Sequence, residues 1–174
     1  MISWLSEKSL NKTIFVFAII ILSISSFMLG VSKVLEMILM CGIGSGSSME
    51  PTLNDGAKLI VSLKENKNLK RGDLIGIKVY DYENNNTPEI IGKRIIALPN
   101  ESISIKKDKV YINGNLLDEP YAYYSGDSDD NLFITLNDDE YFVMGDNRLD
   151  SADSRLIGPI PKKSILYKIL LYRN

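Results

Sequence analysis

Histidine is absent from this 174-residue chain, which also holds only one cysteine and one tryptophan. Without histidine no Ser-His-Asp triad can be built. The lone Cys41 excludes an internal disulfide, and with no imidazole to join it neither a structural zinc site nor a transition-metal centre is expected. Cys41 itself reads as a small hydrophobe. A charge bias is missing too. Twenty Lys and Arg stand against 22 Asp and Glu, a net −2, and they are scattered rather than blocked. Nothing in that pattern suits nucleic acid or makes an acidic tail. With 45% apolar and 24% charged residues, the composition is that of one globular domain with a short accessory segment.

One apolar run stands out. Thr13 to Val31 carries no charge over 19 positions, about 28 Å as a helix at ~1.5 Å per residue, enough for a bilayer core. Lys8 and Lys12 precede it and Trp4 suits the interface, while Lys33 and Glu36 follow. The positive-inside tendency then predicts a cytoplasmic tail over 1–12, a transmembrane helix over 13–31 and an extracytoplasmic domain over 32–174. The run is long for a cleavable leader and no A-x-A-like site follows it, so an uncleaved anchor is expected. No polar face interrupts it, which argues against a helix lying on the surface.

Beyond the anchor, Ser32 to Ile43 stays apolar and is expected to prolong the helix or skim the membrane. Past Pro51 the pattern becomes strand-like. Lys58–Leu63, Asp73–Tyr80, Glu89–Leu98, Ser102–Ile105, Val110–Ile112 and Glu140–Met144 are rich in Ile, Val, Leu and Tyr. Asp55-Gly56, Gly72-Asp73, Pro99-Asn100 and Asn113-Gly114 punctuate them as turns. Ser102–Ile105 and Val110–Ile112 read as a hairpin. Tyr82–Pro88 and the acidic Ser125–Asn131 read as surface loops, the latter without the spacing of a calcium loop. Residues 50–160 show no sustained helical period, so the class is mainly β, an antiparallel sheet domain with one N-terminal helix. Ile165, Leu166, Ile169, Leu170 and Leu171 suit a lipid contact and a final buried strand or helix equally well.

With histidine gone, a serine nucleophile needs another base, and lysine is the main substitute. The stretch Gly46-Ser47-Ser48-Met49-Glu50-Pro51-Thr52-Leu53 offers the serine. Gly92-Lys93-Arg94-Ile95-Ile96-Ala97-Leu98-Pro99 offers a lysine flanked by Ile90, Ile91, Ile95 and Ile96. Free lysine has a pKa of ~10.4 and is almost wholly charged at neutral pH, and burial among apolar side chains is what lowers it. A third stretch, Gly145-Asp146-Asn147-Arg148-Leu149-Asp150-Ser151-Ala152-Asp153-Ser154-Arg155, is dense in charge and hydroxyls.

These three stretches, in this order and with Gly72-Asp73 as a fourth short box, resemble the conserved boxes of type I signal peptidases. Those are membrane-anchored serine proteases that remove signal peptides, and the resemblance covers roughly residues 45–160. It implies a signal-peptidase β-fold with Ser48 as nucleophile, ahead of the neighbouring Ser47, and Lys93 as general base. It implies that Ser151 orients the lysine amine, that Asp153 and Arg155 brace that wall, and that Arg94 pairs with Asp146, with Arg148 in the same set. The Ser48 N–H would serve the oxyanion. The hydroxyl that some members carry two residues earlier is replaced here by Gly46. Met49, Leu53 and Ile91 are the implied pocket lining, and Gly44 stands where bulkier residues are common. No metal or cofactor is implied. The partners implied are secreted preproteins and the lipid bilayer, with no nucleic acid, and the protein is expected to act as a monomer.

Rival readings are weaker. A self-cleaving repressor-type protease would bring a DNA-binding module, and none is visible. A Ser-x-x-Lys acyl-transfer enzyme fails because Pro51 stands three after Ser48 and Glu50 three after Ser47. An inactive anchored homologue acting as an interaction subunit should have lost the serine or the lysine, and both are present.

Overall fold

The computed structural model describes residues 17–32, 39–63, 68–81, 87–124 and 131–174. The chain divides into two compact units between Ile38 and Leu39. In the first, residues 17–32 form a helix, α1, whose side chains are exposed. Among the described residues no helix is long and apolar enough to cross a membrane. The expected tail and the start of the expected span, residues 1–16, lie outside the described residues.

The second unit is built from two antiparallel sheets. The larger contains β1 (Leu39–Ile43), β2 (Lys58–Ser62), β3 (Leu74–Asp81), β4 (Thr87–Ala97), β9 (Glu140–Met144), β10 (Ile160–Pro161) and β11 (Ile165–Arg173). Their order is β1-β2-β11-β3-β4-β9-β10. The smaller is β7-β6-β5-β8, from β5 (Ser102–Lys106), β6 (Lys109–Ile112), β7 (Asn115–Leu116) and β8 (Asn131–Thr135). A single turn of helix, α2 (Ser154–Ile157), follows β9.

Three apolar clusters hold these sheets. Ile96, Ile103, Ile105, Val110 and Phe142 join the small sheet to β4 and β9. Met49, Leu53, Leu59, Val61, Leu74 and Ile169 pack under the segment that follows Ser48. Ile75, Ile77, Ile95, Val143 and Ile165 fill the third. Burial of such side chains, at roughly 1.5–3 kcal/mol each, is what fixes strand register, because a one-residue slip would move each of them to the other face of its sheet.

One expectation changes and one open choice is decided. Residues 39–43 do not continue the N-terminal helix but form β1, paired with β2 from Leu39↔Ser62 to Ile43↔Lys58. An unbroken apolar run carries no period to separate the two states, and the ladder with β2 decides it. The C-terminal apolar stretch is a strand, β11, seated between β2 and β3, with register shifts against both. Of the two expected loops, 82–86 and 125–130 lie outside the described residues, while Thr87, Pro88 and Asn131 belong to strands.

Candidate active site

β4 delivers the lysine. It pairs with the whole of β3 over Thr87–Arg94, Asp81↔Thr87 to Leu74↔Arg94, whereas β9 joins its other edge only at Arg94, Ile95 and Ala97. Lys93 therefore sits where β9 turns away, and its side chain is only 3% exposed as a residue, beside the fully buried Ile75 and Ile95. Its Nζ donates to Ser48 Oγ at 2.7 Å. Burial pushes the Lys93 pKa down. Asp153, Glu89 and Asp150 pull it back up, and Arg155 helps to lower it. Desolvation wins, so the amine is biased toward the neutral form that can take a proton.

Ser48 lies in a turn that starts at Gly46, whose φ of 92° is the left-handed region where a side chain is strained. This accounts for the glycine at position 46. The turn closes with Glu50 N–H donating to Ser47 C=O at 3.0 Å and Leu53 N–H to Met49 C=O at 2.9 Å. Met49 and Leu53, expected to line a pocket, are 4% and 5% exposed and sit in the core next to this turn. Ile91 is half-buried against the third cluster, and Gly44 has its Cβ position in ordinary contact with Leu59 and Ala57.

The loop after β9 forms the opposite wall. Gly145 N–H donates to Asp153 Oδ2 at 2.9 Å, and Asp153 also accepts from Arg155 Nε and Nη2 at 2.9 and 3.0 Å. Burial opposes the Asp153 charge, but the Arg155 bonds and charge, with help from Gly145 and Ser151, hold its carboxyl below the ordinary range. Ser151 Oγ is buried and, among the described residues, has no hydrogen-bond partner of full geometric quality. It faces Gly145, where a Cβ would lie 2.3 Å from it. Arg94 makes a two-pronged pair with Asp146, Nε to Oδ1 at 2.7 Å and Nη2 to Oδ2 at 2.5 Å, with side-chain exposures of 11% and 0%. It also donates to Gly72 C=O and lies over the Tyr121 ring at 4.0 Å.

Motif reasoning overlooked Glu119, Tyr121 and Tyr124. Arg148 is bound not to the Asp146 pair but to Glu119, at 2.6 Å and almost wholly buried, and it also donates to Tyr124 Oη. No local pattern marks residue 119, because the pairing exists only after the chain has folded.

Gly145 makes a tight demand at the site itself. A Cβ there would stand 2.4 Å from Ser48 carbonyl O as well as 2.3 Å from Ser151 Oγ. One of those atoms would have to move, and a misplacement near 1 Å costs about 100-fold in rate. Gly145→Ala is therefore expected to lose about that much kcat, read from turnover of the folded variant.

Among the described residues no group of His, Cys, Asp and Glu is placed to hold a metal. The arrangement as it stands is a hydroxyl, a buried amine in contact with it, and a braced loop behind both. That is the equipment for general-base-assisted acyl transfer.

Comparison with known proteins bears on this geometry. The profile of the family described as "Signal peptidase, peptidase S26" matches residues 8–172. "Signal peptidase I U" of Bacillus subtilis (strain 168) is 35% identical over 161 residues, 87% of this chain and 81% of its own length. "Signal peptidase I P" of Bacillus subtilis subsp. natto and "Signal peptidase I T" of Bacillus subtilis (strain 168) are 39% and 42% identical, each over 63% of this chain. In those two relatives the matched stretch spans 62% and 60% of their length. A crystal structure of a signal peptidase I from Enterococcus faecalis V583 aligns at TM-score 0.49 and 28% identity, over 59% of this chain and 97% of that one.

Proposed function

Because this chain belongs to the signal peptidase S26 family, we propose that it is a membrane-anchored serine endopeptidase that removes signal peptides from secreted preproteins. The observation that carries the reading is the 2.7 Å contact between Ser48 Oγ and an amine whose pKa burial has lowered. Ser48 Oγ attacks the scissile carbonyl carbon as its proton passes to Lys93 Nζ. The tetrahedral oxyanion lies on the Ser48 N–H, since donors fixed in advance need no reorganisation when charge develops. Collapse breaks the C–N bond, the Lys93 ammonium protonates the departing amine, and an ester on Ser48 remains. Lys93 then deprotonates a water that hydrolyses the ester and restores the hydroxyl.

The substrate lies extended. Residues 87–93 of β4 have a strand on one edge only among the described residues, which leaves the run leading to Lys93 able to pair with a peptide. Small side chains before the cut fit such a shallow edge. Residues 13–31 anchor the chain, and the β domain works outside the membrane as a monomer, with no cofactor.

The test is cleavage of a preprotein bearing an A-x-A site by the full-length chain in detergent. The product's N terminus should begin directly after that site. A correctly folded protein that leaves the preprotein intact would favour the inactive-homologue reading instead.

A further inference from the structure

We propose, resting on the peptidase reading, that Asn147 and Asp150 are positioning residues that set the plane of the Ser47–Ser48 peptide and so aim the Ser48 N–H. Four contacts carry this. Ser47 C=O accepts from Asn147 Nδ2 at 3.3 Å as well as from Glu50 N–H at 3.0 Å. Asn147 N–H donates to Ser48 C=O at 3.1 Å. Ser47 Oγ donates to the Asp150 carboxylate, across 103 positions of sequence. Upstream, Gly46 N–H donates to Asp55 Oδ1 at 2.9 Å.

The physical consequence follows from peptide geometry. In a trans peptide the C=O and N–H lie in one rigid plane and point in opposite directions within it. Two donors on Ser47 C=O thus fix the direction of the Ser48 N–H as firmly as a bond to the N–H would, and they leave that donor available to the oxyanion. Gly46 gives the turn its positive φ but contributes neither a hydroxyl nor a side-chain restraint. The restraint comes instead from side chains on other segments: Asp55, Asn147 and Asp150.

Asp150 acts in two separable ways. It holds Ser47 by a hydrogen bond, and its charge favours the Lys93 ammonium. Asp153 and Glu89 act in the same direction on that amine, and Arg155 opposes them. The bond can be removed without the charge, by changing Ser47, and the charge without the acceptor, by Asp150→Asn.

The experiment measures kcat, KM and pH–rate profiles for cleavage of an A-x-A preprotein by the full-length protein in detergent, with thermal melts. Ser47→Ala and Asn147→Ala are each expected to lower kcat about tenfold, a fraction of the ~100-fold or more lost when an oxyanion donor is removed outright, with KM changed less than twofold. Ser47→Thr keeps the hydroxyl and should recover most of the rate. Asp150→Asn should move the rising limb of the profile to lower pH, whereas Ser47→Ala should leave its midpoint in place. Ser47→Ala serves if Asn147→Ala does not fold. Full kcat in Ser47→Ala beside an active wild type overturns the proposal and leaves the peptidase reading intact. So does a loss confined to KM. A folded wild type that cleaves nothing removes the peptidase reading and this proposal with it.

Discussion

Ser48→Ala and Lys93→Ala are each expected to lower kcat by at least about 10³-fold, while both proteins keep their fold. The two groups act as a unit, so the double variant should be little worse than either single one. Ser48→Ala removes the atom that forms the acyl bond. Lys93→Ala removes the amine bonded to that atom, in a chain with no histidine to replace it. Stability separates the two effects. The Lys93 pKa is lowered in the fold, so between that value and the free-lysine value the unfolded chain binds more protons than the folded one. Wild-type stability must then rise with pH across that window. Lys93→Met, which leaves no ammonium to bury, should melt above wild type at neutral pH, and its advantage should shrink as pH rises through the window. A Lys93→Met protein that retains wild-type turnover would remove this residue from the mechanism.

The second large effect concerns the fold. Asp146→Ala is expected to destabilise the protein by about 3–5 kcal/mol, because it strands the Arg94 guanidinium among buried groups. Asp146 is fully buried and Arg94 nearly so. For a domain of this size that loss corresponds to a fall in Tm of roughly 10–15 °C. Activity should fall as well, since Asp146 C=O accepts from Tyr123 N–H and its neighbour Asn147 touches the nucleophile turn. The cost belongs to the unpaired charge rather than to the pair. Replacing both partners by apolar residues, Arg94→Met with Asp146→Leu, should recover part of the stability. A single Asp146→Ala variant that melts with wild type would show that Arg94 finds adequate partners in Gly72 C=O, Thr52 and the Tyr121 ring.

Ser48 and Lys93 were picked out by short local stretches that resemble a family's boxes, and the structure sets their side chains 2.7 Å apart. A hydroxyl before Met-x-Pro and a lysine within an isoleucine run each carry their meaning in a few positions. The strands of the centre were legible for the same reason. Glu140–Met144 is a short β-branched and aromatic run of which Tyr141 to Met144 are all buried, and β9 has those ends. What could not be read depends on partners distant in sequence. β1 is apolar and glycine-containing, so only its ladder with β2 distinguishes it from more helix. β11 runs between two strands from the first half of the domain, with irregular register that blurs the alternation. Glu119 looks like any surface acid until Arg148, 29 positions later, is folded against it. Gly46 is the instructive case. The sequence reports it as a missing hydroxyl, whereas the backbone shows that its φ of 92° favours glycine there.

The most direct measurement is the pH dependence of kcat/KM for preprotein cleavage by the wild-type protein, together with the titration of the Lys93 amine by competitive acetylation and mass spectrometry. If Lys93 is the base, activity rises with pH on a single limb whose midpoint lies below the free-lysine value of ~10.4, and the acetylation curve of Lys93 shares that midpoint. A rate that rises only at or above the free-lysine value, or an activity limb that the Lys93 amine does not follow, would contradict a buried lysine as the proton acceptor of Ser48.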